Sequence, residues 1–482
     1  MKFKLLTRFC AATLCLVMVL TSVISCSSKE LQEDAKTNNN GDSSAYEDSL
    51  PERNMEQFEL KFLNYTDEAH GFSLKTICTE DVSEAINKAI YMRNIEVEER
   101  FNTIITERQT ANMIDDITKS VLSGDGTFHV AMIFDEKVNG ANVAGLLGSW
   151  NDMTYCDFSK DWWNSDAGNC FSLNGRQYGA VGDFSLSMHS KNYCYFFNKS
   201  MYSTITGAED LYGLVRDGKW TIEKMLQIGE EYTADLDGDG LWYDGTDQYG
   251  IAGTTKVNYQ LIFSGAGMKY VDQDNNGTPY FALNTANSIE KLSNIISMFS
   301  DTHSYYNNNP SAPHGGINSE DFLNSKVLIF ASTVWNMTDY SNYKIDYGVL
   351  PAPKYNEEQS NYYSVAVGGQ VACLSRTIPE GELENVSILI EAMCSHSYSS
   401  VVPTYKETIL KARYSNAPED AEMLQLIFDS TIFDLGTSVW NIDIRRPIMD
   451  NLFNELDSGV ASYIKSLTSS AEGAISKSIG IQ

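Results

Sequence analysis

The chain has 482 residues, with 35 basic against 64 acidic side chains and a formal net charge of −29. That balance argues against nucleic acid or an anionic lipid surface as a partner, since both would repel it. The length exceeds what one hydrophobic core supports, so two lobes are expected.

The first residues carry Lys2, Lys4 and Arg8, then an apolar run from Phe9 to Leu20. This reads as a secretory signal, too short and wrongly flanked for an ordinary membrane span. It ends in Val23-Ile24-Ser25-Cys26, which resembles a bacterial lipobox. The resemblance implies cleavage before Cys26, diacylglycerol and palmitate-type acylation there, and a body tethered to the outer face of a cell membrane. Ser27 to Glu56 is polar and nearly free of apolar residues, so it cannot offset the entropy of ordering and reads as a flexible tether. Of nine cysteines, Cys78, Cys156, Cys170, Cys194, Cys373 and Cys394 remain in the body. None has zinc spacing. A disulfide is permitted, Cys156 and Cys170 being the nearest pair, but buried free thiols are the expectation for a protein of this size.

Phe58, Leu60 and Phe62 alternate with polar residues, as in a strand. Ile86, Ile90, Val97, Phe101 and Ile104 keep helical spacing, and a second helix is expected from about 110 to 122. Phe128 to Phe134 reads as a buried strand. Strand, helix, strand predicts a parallel sheet. Further helices are predicted around Ile289 to Phe299, around Leu383 to Met393, and along Ile448, Leu452, Leu456 and Val460. Between them, Val327 to Ala331 is a continuous apolar run that delivers Trp335 into a polar loop. A second run, Asp346 to Leu350, ends in Pro351-Ala352-Pro353. Such runs read as buried strands, and a tryptophan just past a strand end sits where open α/β sheets hold ligands.

An ordered set of short motifs resembles bacterial family 1 extracellular solute-binding proteins, the capture components of ABC importers. The set comprises Ala85 to Phe101, Trp162-Trp163, Gly175 to Gly179 and Gly182 to Ser185. It continues with Phe196 to Lys199, Gly218 to Thr221, Asp235 to Gly250, Tyr347 to Pro351, Ala412 to Ser415 and Asp434 to Gly436. The resemblance implies an α/β, two-lobed periplasmic-binding-protein-like fold of type II, each lobe a mainly parallel sheet flanked by helices. Crossover strands would join the lobes near 183–195, 364–373 and 412–415. Residues 1–25 would be signal and 26–55 tether. The first lobe would take 56–185 and 368–412, the second 186–367 and 413–482. The implied partners are a small solute, most often a carbohydrate or oligosaccharide, and ABC permease subunits, with the protein acting as a monomer. A non-sugar polar solute such as a glycerol-phosphate compound is the alternative ligand. An exported carbohydrate-active enzyme is the alternative class.

Sugars present apolar C–H faces and hydroxyl edges, so a site for them needs aromatic platforms ringed by carboxylates and amides. The family pattern carries this role to Asp135, Glu136, Asp183, Ser185, Tyr259, Trp335, Gln370 and Trp440. Asp235, Asp237 and Asp239 alternate before Gly240, as in the first half of a calcium loop, with Asp247 following. Position twelve of an EF-hand would be Thr246, so the match is incomplete and a solvated turn is the other reading. Asp272 to Gly277 reads as a hairpin turn. No GxSxG, HExxH or Walker-type loop is present, so no enzymatic activity is expected.

Overall fold

The computed structural model describes residues 48–66, 77–240 except 174, 246–300 except 254 and 275, 302–305, 317–340, 343–411, 418–456 and 458–479. The signal, Cys26, most of the tether and the Ala412 to Ser415 motif lie outside the described residues. Among those described, no helix is long and apolar enough to cross a membrane.

Residues 50–482 form one compact unit containing two four-stranded sheets. The first is built from β1 (Phe58–Tyr65), β2 (Thr103–Thr110), β3 (Val130–Phe134) and a late strand, β9 (Gln370–Leu374). Its order is β9-β3-β1-β2, with β1 parallel to β2 and β3, and β9 antiparallel to β3. Helix α1 (Ala85–Phe101) buries Ile86, Ile90, Val97 and Phe101 as its spacing predicts. It stops sooner than the periodicity suggests. Asn102 takes a left-handed conformation (φ 49°), and Ile104 belongs to β2. Asn is among the few non-glycine residues that tolerate that region, so it ends the helix. Helix α2 (Met113–Ser123) then leads to β3.

The second sheet uses β4 (Tyr193–Asn198), β5 (Tyr249–Gly253), β6 (Val327–Thr333) and β7 (Tyr347–Leu350), ordered β7-β4-β6-β5. Only β5 and β6 are parallel; β4 runs antiparallel to β6 and β7. The apolar runs around Trp335 are the strands β6 and β7, nearly every residue buried. The Pro-Ala-Pro stop is anchored from a second motif: buried Trp220 donates from Nε1 to Pro351 O (3.0 Å).

The chain crosses between the sheets in short passes. Residues 183–192 connect an edge bridge at Ala180 to β4. The return runs through β8 (Ser364–Val365) to β9, and β8 pairs in parallel with β10 (Thr431–Ile432). A side chain at Gly369 would run into Met188, so glycine lets two passes touch. The run from Ile448 to Val460 is not one helix: Leu456 has φ 47°, and the last helix begins at Val460. Cys78, Cys156, Cys170, Cys194, Cys373 and Cys394 are all free thiols. Asp272 to Gln273 pairs with Pro279 to Tyr280 in a hairpin.

Beside the first sheet lies helix α5 (Glu380–Ser399), which buries a carboxylate, Glu391. It accepts hydrogen bonds from Trp163 Nε1 (2.7 Å) and Trp162 Nε1 (3.0 Å). Burial pushes its pKa up from 4.5 to about 7, against those two bonds. A carboxyl whose folded pKa lies above its unfolded value favours folding most when protonated. Its contribution is fully present below pH 4.5 and is lost as the pH rises through about 7. Tryptophan fluorescence titrated from pH 5 to 8 is therefore expected to show a step centred near 7. Glu391→Gln should abolish that step; a step that persists would assign it elsewhere.

Candidate functional site

In open α/β sheets, ligands bind outside the carboxyl ends of the parallel strands. Here those ends bring together Asn64 and Tyr65 of β1, Asp135 just after β3, and Trp335 just after β6. The starts of the antiparallel strands, Gln370 of β9 and Tyr193 of β4, lie at the same ends. Hydrogen bonds link the two halves across the crossing residues. Trp335 N donates to Ser190 O (3.0 Å), and Ser190 Oγ donates to Ser187 O (2.7 Å). Gln370 N donates to Ser187 Oγ (3.0 Å), and Gln370 Nε2 donates to Asn64 Oδ1 (2.7 Å).

Asp135 opens helix α3 (Asp135–Val143), where an acid favours the helix N-terminus. Its Oδ1 accepts from Glu136 N (2.8 Å) and its Oδ2 from Gly368 N (3.0 Å). Burial pushes its carboxyl up to about 6, while Arg445 acts the other way. Lys191, on the first crossing, is pushed down to about 8 by burial, against the pull of Asp135. Tyr193 feels both Arg445 and Asp135. Arg445 donates from Nε to Gln260 Oε1 (2.7 Å) and from Nη1 to Asn441 Oδ1 (3.1 Å). The site thus offers a carboxyl, two cations, amides and the half-buried indole of Trp335. Gln370 Oε1 is buried and has no hydrogen-bond partner among the described residues. Such an acceptor costs about 1–3 kcal/mol unless something donates to it.

The sequence-derived residues divide into groups. Asp135, Gln370 and Trp335 gather at the strand ends, with exposed Glu136 beside them, paired to Lys137 (3.4 Å). Ser185 is buried on the first crossing and accepts from Ser187 N (3.4 Å). Asp183 faces elsewhere, bound to His189 Nε2 (2.7 Å). Two aromatic residues need correction. Tyr259 is fully buried, its ring 4.5 Å from that of Phe453, within a helix (Thr255–Gly265) that packs on the second sheet. Trp440 is buried and donates from Nε1 to Ser478 Oγ (3.2 Å). Both are core residues. Sequence reading missed Asn64, Lys191, Tyr193, Gln260 and Arg445. Arg445 follows the Trp440 motif by five residues, and Lys191 lies inside the expected crossover.

Carboxylate oxygens of Asp235, Asp237 and Asp239 come within 4.8 Å of one another. Asp235 accepts from Gly238 N (2.6 Å) and Gly240 N (2.9 Å), so the loop wraps its own first acid. Asp247 is buried at the base of the loop and accepts from Leu236 N (2.9 Å).

No family model and no curated protein matches the chain. Solved structures do match its fold. UspC of M. tuberculosis superposes with a TM-score of 0.56 at 14% identity, over 86% of this chain and 100% of its own. A cyclic α-maltosyl-1,6-maltose binding protein from Arthrobacter globiformis gives 0.54 at 14%, over 88% and 99%. A cyclo/maltodextrin-binding protein complexed with maltotetraose gives 0.52 at 14%, over 88% and 96%. The chain shares the α/β fold of these structures.

Trp440→Ala is expected to cost about 3–5 kcal/mol in urea unfolding, the price of emptying a core position. Trp335→Ala should cost far less. Equal losses would contradict the placement of the two rings.

Proposed function

We propose that the chain is the extracytoplasmic substrate-binding protein of an ABC importer and binds an oligosaccharide or related carbohydrate between its lobes. The observation that carries this is the group at the strand ends: Asp135, Lys191 and Gln370, with Trp335 tied to the same crossing through its backbone N–H to Ser190 O, contributed from both sheets and the crossing between them. An indole suits the C–H face of a sugar, and carboxyl, ammonium and amide groups pair with its hydroxyls. The buried Gln370 Oε1 would accept from a ligand hydroxyl. A ligand touching both lobes favours the closed arrangement by its differential affinity. Sugar-binding structures of the same fold support the ligand class, and their being binding proteins supports the absence of enzymatic turnover. Cys26 would carry the lipid anchor, and permease subunits on other chains would receive the ligand.

Lys191 and Arg445 favour a second reading, in which the ligand carries a negative group such as a sugar carboxylate or a glycerol phosphate. Against a phosphate, Arg445 is already committed to Gln260 and Asn441, and Asp135 shares the field. The same proposal takes in a Ca2+ ion held by Asp235, Asp237 and Asp239, a hard cation with oxygen ligands.

Trp335→Ala is expected to weaken binding of the sugar that wild type prefers by about tenfold or more, as measured by calorimetry. Unchanged affinity would sink the stacking role. Lys191→Met separates the two readings: it should weaken a neutral sugar by about tenfold, the loss of one hydrogen bond to a charged group, but should abolish binding of an anionic one. For the metal, Ca2+ should raise the melting temperature of EDTA-stripped protein, and Asp237→Ala should remove the rise. If stripped protein does not respond, the loop is only a turn.

A further inference from the structure

A cavity of about 860 Å³ lies on the other face of the first crossing. Asn192 lines this cavity, whereas its neighbours Lys191 and Tyr193 lie within the electrostatic reach of Asp135. Neither Asp135, Lys191, Trp335, Gln370 nor Arg445 borders it. Its remaining walls come from the loop around Trp163, from α5 and the following helix α6 (Val401–Lys411), and from the chain at Phe428 to Phe433.

We propose that this cavity is a second ligand site, separate from the one between the lobes, and that it takes an uncharged polyhydroxylated molecule. Its volume lies in the range of small-molecule sites, about 300–1,000 Å³. The rings of Tyr398, Phe428 and Phe433 supply apolar faces, and Tyr398 is 40% exposed. The wall carries Asp161, Asp166, Asp183 and Asp429 against Lys160, Lys406 and His189, an excess of acid. Asp183 binds His189 (2.7 Å). Lys406 donates to Gln425 Oε1 (2.7 Å), lies over the Phe428 ring (5.3 Å), and feels Asp429 and Asp183. Gln425 in turn donates to Asp429 Oδ1 (2.6 Å). Such a wall repels an anionic ligand. It presents alternating strong donors and acceptors beside ring faces, which is what vicinal hydroxyls and their C–H faces pair with.

The test is calorimetry of the full-length protein with maltose, maltotriose, trehalose, sucrose and myo-inositol as probes. Three variants are compared: Trp335→Ala between the lobes, and Tyr398→Ala and Gln425→Trp at the cavity. Tyr398 and Gln425 are both exposed, so neither change empties the core. At least one probe should bind Trp335→Ala within about twofold of wild type and weaken by about tenfold or more in both cavity variants. The proposal is overturned if no probe binds in that way. That includes the case in which every binding event depends on Trp335 alone. Failure here leaves the site between the lobes untouched, because that site is read from Trp335 and Lys191.

Discussion

The crossing residues must satisfy their backbone with little sheet pairing beyond one two-residue ladder, and that constraint shapes the middle of the molecule. A buried peptide group left unpaired costs about 1–3 kcal/mol, so side chains from both halves are recruited. Arg93, fully buried in α1, donates from Nη1 to Phe184 O (3.0 Å) and Ser397 Oγ (2.8 Å), and from Nη2 to Ile77 O (2.9 Å). Asp135 holds Gly368 N, Ser187 holds Gln370 N, and Thr431 Oγ1 donates to Asn192 Oδ1 (2.7 Å). The bonds to Phe184, Gly368, Gln370 and Asn192 each reach far along the sequence. These polar contacts join the two sheets alongside an apolar cluster that itself takes residues from both.

Those contacts also set the chemistry at the strand ends. Asp135 serves two backbone N–H groups, so its carboxyl is pinned deep enough for burial to raise its pKa to about 6. Lys191 is brought in beside it and lowered to about 8. Both groups are held close to the point at which charge is lost, because water has been withdrawn from them. A hydroxylated ligand returns hydrogen bonds that water supplied before. A fully charged ligand would have to displace the opposite charge already present.

Much of this was legible in the sequence, and the reasons differ by element. The strands β3 and β6 are continuous apolar runs, which burial on both faces requires, and Asp135 and Trp335 follow directly from where those runs stop. What was missed depends on single residues or on distant contacts. The end of α1 turns on one left-handed asparagine, and periodicity carries no sign of it. The break at Leu456 is of the same kind. Lys191 and Arg445 become neighbours of Asp135 only through the crossing, so nothing local marks them.

The aromatic residues show why a ring is weak evidence by itself. Trp335, Tyr259 and Trp440 look equivalent as ring candidates in the chain. Trp335 follows a strand whose last residue, Thr333, is already half-exposed, and no helix of more than four residues follows to cover it. Tyr259 sits in the middle of an 11-residue helix whose next residues, Leu261, Ile262 and Phe263, are all fully buried. Trp440 precedes Ile444 and Ile448, which continue its buried side. What separates the rings is the distant chain that packs over them, Phe453 on Tyr259 and Ser478 on Trp440, and the residue type does not reveal it.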